Sequence, residues 1–151
     1  MDQNDVLDTL NTLIETCKDG EYGFQQCAEH VKSTDLRTLF NDRAESCRRG
    51  AQELQSLVTQ YGGTPDTGSS ASGTLHRGWV SVKGMLTGHS DEAMLEECER
   101  GEDAALERYR NALAKPLPEP VRAVVERQYQ GVQRNHDMVK AARNRIKMAS
   151  S

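Results

Sequence analysis

Apolar and small residues return at Val6, Leu10, Leu13, Ile14, Cys17, Phe24, Cys27, Ala28 and Val31, the three-then-four spacing of a helix with one buried stripe. That spacing predicts a first helix over residues 3–31. Ser33, Thr34 and Asp35 then offer N-cap side chains in a segment too short for anything but a reversal, so a second helix returns antiparallel to the first. Its stripe reads Leu36, Leu39, Phe40, Ala44, Cys47, Ala51, Leu54, Leu57, Val58 and Tyr61. It stops at Gly62 and Gly63, a C-terminal glycine signal followed by Pro65.

Residues 62–73 are almost entirely Gly, Ser, Thr, Pro, Asp and Ala, too polar to bury and too rich in breakers to continue a helix. This is the long crossover. Leu75, Trp79, Val82 and Leu86 then predict a short helix over 74–86 that packs across the bundle with Trp79 as its anchor. Ser90, Asp91 and Glu92 cap a third long helix with the stripe Met94, Leu95, Cys98, Ala105, Tyr109, Ala112 and Leu113. Prolines 116, 118 and 120 end it and open a fourth, where Val121, Val124, Val125, Gln128, Val132, His136, Val139 and Ile146 share a face. Two hairpins joined by one long connection make an all-α, antiparallel, single-crossover four-helix bundle.

At 151 residues the chain has the size of one domain, taken here as 1–151, and can bury one continuous core. Its 19 basic and 23 acidic residues are mixed along the chain, for a formal charge of -4. No basic field draws a polyanion, which argues against nucleic acid as a partner. No apolar run approaches the roughly 18 residues that span a bilayer, and the start lacks the cationic residues of a secretory signal. A cytoplasmic protein without membrane contact is expected. Cys17, Cys47, Cys27 and Cys98 form no Cys-x-x-Cys pair and fall within predicted helices, so buried reduced thiols are expected.

The chemistry gathers where the stripes break. The first stripe has a gap between Cys17 and Phe24, filled by Gly20 and Glu21, and the third helix repeats it with Gly101 and Glu102. Laid over each other, residues 13–21 and 94–102 share four of nine positions, including Cys-x-x-Gly-Glu. Each hairpin thus opens with a helix that places a carboxylate at mid-height on its buried seam. Such a carboxylate is costly unless paired, protonated or metal-bound. Arg43 near the second seam, and Gln133 with His136 on the fourth helix, are the candidate partners.

Glu21 and Glu102 on the leading helices, with Gln133 and His136 three apart on a trailing one, resemble a degraded ferritin-like di-metal pattern, in which two helices each give Glu and two each give Glu-x-x-His. The stretches 10–21, Leu75 to Trp79, Glu97 to Asp103 and Gln128 to His136 resemble DUF2383, a bacterial family of ferritin-like four-helix-bundle proteins of unknown function, over residues 6–145. That resemblance implies the ferritin-like fold and a link to stress responses. The pattern departs from a di-metal site at Gln133, where Glu is needed, and at Ala44 and Cys47, where the second helix offers neither carboxylate nor imidazole.

Two functional classes remain. The first is a non-catalytic, homo-oligomeric bundle without a cofactor, in which Glu21, Arg43, Glu102, Gln133 and His136 form a buried polar network. The second is a metalloprotein binding iron or another divalent metal through Glu21, Glu102 and His136 for iron, oxygen or peroxide handling.

Overall fold

The computed structural model describes residues 1–65 and 90–150. Among them are four helices and no strand: α1 Gln3–His30, α2 Thr34–Gln60, α3 Asp91–Leu113 and α4 Glu119–Ser150. The expected crossover lies mostly, and the short helix around Trp79 entirely, outside the described residues. No described helix is long and apolar enough to cross a membrane.

The first three helices begin where a short polar side chain satisfies an orphan amide. Asp2 accepts from Asp5 N at 2.9 Å, Ser33 from Leu36 N at 3.3 Å and Ser90 from Ala93 N at 3.2 Å. The α1–α2 reversal is pinned from outside the hairpin, because the Asp91 carboxylate accepts from the amides of Lys32 at 2.9 Å and Ser33 at 3.1 Å. At the other end of α2, Gly62 takes φ +80° and Gly63 N donates to Val58 O at 2.9 Å. This is the left-handed turn that glycine adopts without a Cβ penalty. Arg122 closes the α3–α4 corner by donating to the carbonyls of Leu113 and Lys115.

α1 packs along α2 and against α3, and α3 along α4, whereas α2 and α4 touch little. The buried apolar side chains form two clusters. One holds Phe24, Phe40, Leu95 and Val139 towards the α1–α2 reversal; the other holds Leu10, Leu54, Tyr109 and Val125 towards the opposite end. The layer between them carries the polar groups.

Candidate functional site

Arg43 sits one residue before the Ala44 seam position on α2, with its side chain 15% exposed. Its guanidinium lies 5.8 Å from the centroid of the Phe24 ring, within cation–π range. It reaches Glu102 Oε2 on α3 at 3.9 Å. Asn135 on α4 donates from Nδ2 to the same oxygen at 2.6 Å. Gly20 supplies the space on α1: a Cβ there would stand 2.9 Å from Cys47 Sγ, so the missing side chain admits the thiol. Arg43, Cys17, Cys47, Glu102 and Tyr109 all line a central cavity of about 40 Å³, a volume that accommodates a water molecule. Arg43 Nε, Glu102 Oε1 and Asn135 Oδ1 are buried without a hydrogen-bond partner among the described atoms.

Burial pushes the Glu102 carboxyl up to about 7. Arg43, the Asn135 hydrogen bond and His136 pull it down and Asp103 pushes it up, but desolvation prevails. The guanidinium stands off rather than in hydrogen-bond contact, which weakens its counter-effect. Desolvation likewise pushes the buried Cys17 thiol to about 11 and the Cys47 thiol, only half-buried where burial was expected, to about 12, so both are protonated at neutral pH.

A second polar chain crosses the bundle next to this pair. Cys17 Sγ lies 3.4 Å from Tyr109 Oη, and that hydroxyl donates to Gln128 Oε1 at 2.8 Å. Gln128 Nε2 then donates to Glu53 Oε1 at 2.8 Å and to the Gly50 carbonyl at 3.3 Å. Each of the four helices contributes at least one member, so the chain ties their relative heights together. Nearer the α1–α2 reversal, the buried thiols of Cys27 and Cys98 meet at 3.5 Å.

The expected five-residue network is narrower in the structure. Arg43 and Glu102 come together, but Glu21 is half-buried and pairs with Lys18 on its own helix at 3.5 Å. Gln133 is exposed and donates to Tyr129 Oη at 3.1 Å. The buried amide that does reach Glu102 belongs to Asn135, which the expectation omitted. Its signal was present, since Val132, Asn135, Val139, Ala142 and Ile146 keep the three-four rhythm, and one residue of error turns a helix face by 100°.

The trio Glu21, Glu102 and His136 is not assembled as a metal site. Among the described residues, the group whose ligand atoms converge is Glu99, Asp103 and His136, on the α3–α4 flank. His136 Nε2 lies 2.7 Å from Asp103 Oδ1 and 4.0 Å from Glu99 Oε1.

Comparison with known proteins agrees with this frame. The family model "Domain of unknown function (DUF2383)" matches residues 5–115, ending at the α3–α4 corner rather than reaching residue 145. No curated protein is similar to the chain in sequence. Among solved structures, the bacterioferritin-related protein of Bacteroides fragilis, described as a dodecameric thioferritin, superposes with TM-score 0.78 at 15% identity, covering 99% of this chain and 92% of that one. A Dps1 variant of Mycobacterium smegmatis gives 0.80 at 16% identity, covering 93% and 95%. A DPS protein of Vibrio cholerae, described as a member of the ferritin-like diiron-carboxylate superfamily, gives 0.75 at 13% identity, covering 92% and 89%. The chain has the ferritin-like four-helix-bundle fold.

A di-iron carboxylate centre in such a bundle takes Glu from two helices and Glu-x-x-His from the other two. The groups around the central cavity are one carboxylate, the amide that holds it, two protonated thiols and a guanidinium. Those groups do not fit a di-metal cluster, because the fixed charge already present is positive and a single carboxylate stands where four carboxylates and two imidazoles are needed.

Proposed function

The chain belongs to the DUF2383 family, and on that premise we propose that it is a non-catalytic ferritin-like bundle whose own arginine stands where relatives of this fold place metal charge. The supporting observation is the Arg43–Glu102 pair, 3.9 Å apart in the layer between two apolar clusters and completed by Asn135. A guanidinium is always protonated and cannot leave its helix, so the centre has a permanent counter-cation that carries no redox chemistry of its own. Its role is to fix helix register, as buried polar groups do in other bundles. The protein then works through its surface and its assembly. A homo-oligomer is part of the proposal, supported by the dodecamer described for the Bacteroides relative. A stress-associated accessory role belongs to the same reading.

Ferrous-iron oxidation tests the central claim. Aerobic protein with a few equivalents of Fe(II) should oxidise it no faster than buffer does. A rate raised tenfold or more and lost in Glu102→Gln would place working iron chemistry in the bundle centre and refute the proposal. Light scattering after gel filtration tests the assembly, and a monomer at tens of micromolar concentration would remove that part.

A further inference from the structure

Outside the central layer, the α3–α4 flank brings three metal-ligating side chains together. Glu99 and Asp103 are four apart on α3 and so project from one face, while His136 faces them from α4. One ligand atom from each lies within 4.8 Å of the other two. Donors bound to one ion at 2.0–2.2 Å stand about 3.0–3.5 Å from each other. The present separations, 2.7 Å from Nε2 to Asp103 Oδ1 and 4.0 Å from Nε2 to Glu99 Oε1, bracket that value. Side-chain torsions alone can therefore bring the set onto an ion.

Two further observations point to a ligand. Nε2 of His136 is a buried ring nitrogen with no hydrogen-bond partner, since the Asp103 contact, though short, lacks hydrogen-bond geometry. The surrounding groups also orient the donors. Asp137 Oδ1 faces Nδ1 at 3.6 Å, so the ring can carry its proton on that side when an ion takes Nε2. Arg143 holds Glu99 through Oε2, leaving Oε1 turned to the histidine. Asp103 is largely exposed, so water can complete the coordination.

We infer that Glu99 Oε1, Asp103 Oδ1 and His136 Nε2 form a surface site for one divalent first-row transition ion per chain. Two carboxylates and an imidazole suit Mn(II), Fe(II), Co(II) and Zn(II) better than Ca(II) or Mg(II), which favour oxygen-only shells. The site does not include the Glu102 carboxyl, although His136 and Asp103 act on it electrostatically, and it does not rest on the reading proposed above.

Cobalt(II) is the probe, because its visible spectrum reports both geometry and ligand type. The intact chain titrated with cobalt(II) chloride should take up one equivalent with weak d–d bands, and its Tm should rise by about 5 °C at a hundredfold excess over Kd. Zinc chloride should displace the cobalt. His136→Ala should abolish uptake and the Tm rise. Asp103→Asn, at a largely exposed side chain, should weaken uptake tenfold or more while keeping the helical circular-dichroism spectrum of the parent. Glu102→Gln should bind like the parent, which separates this site from the central layer. Three results would overturn the inference: no uptake at millimolar cobalt, unchanged uptake in both His136→Ala and Asp103→Asn, or an intense thiolate charge-transfer band assigning the ion to the cysteines.

Discussion

Replacing Glu102 by Gln keeps the shape and the acceptor for Asn135 but removes the titrating proton. In the unfolded chain the carboxyl has its ordinary value of 4.5, and in the folded protein burial holds it at about 7. Between those values the folded state binds the extra proton. Stability therefore falls as pH rises through the window, and levels off above it. The linkage amounts to about 2.5 kcal/mol between pH 5 and pH 8. Arg43, Asn135, His136 and Asp103 face this carboxyl and are present in both proteins, so their own titrations largely cancel in the difference. Urea denaturation at half-unit pH steps, with equal m-values, measures the parent minus the variant. The parent should lose about 2.5 kcal/mol relative to Glu102→Gln from the acid to the alkaline end. A difference profile flat to within about 0.5 kcal/mol, or one that rises with pH, would refute a desolvated, half-protonated carboxyl at the bundle centre.

Three other perturbations probe the same core. Arg43→Met removes the largest influence lowering the Glu102 value, so the fall in stability with rising pH should extend to higher pH than in the parent, read by the same denaturation series. Gly20→Ala drives a Cβ to within 2.9 Å of Cys47 Sγ and should cost about 1–2 kcal/mol despite the better helix propensity of alanine, whereas in a Cys47→Ala background it should stabilise; thermal melts of the four proteins read the reversal, and the same sign in both backgrounds counts against the contact. Cys17 and Cys98 should react with a thiol reagent at pH 8 only after unfolding, since both are buried and held protonated; rapid modification of either in native protein would contradict this.

Periodicity alone determined the four long helices, because a buried stripe repeats over about six to nine turns and tolerates an error of one residue at either end. The caps at Ser33 and Ser90 and the glycine stop at Gly62 were legible for a local reason: each satisfies backbone groups within a few residues of itself. Arg43 was legible as one candidate partner for Glu102, a cation near the seam of the second helix, alongside Gln133 and His136. Which carboxylates meet was decided only in three dimensions. Glu21 and Glu102 stand in matching strings, yet α1 turns Gly20 inward against Cys47 and leaves Glu21 beside Lys18, while α3 turns Glu102 fully into the core. Helix rotation depends on how whole faces pack, and 100° per residue is enough to exchange Asn135 for His136 at the centre. The same rotation that carried His136 out of the core set it beside Glu99 and Asp103, a meeting of α3 and α4 that no spacing within either helix encodes.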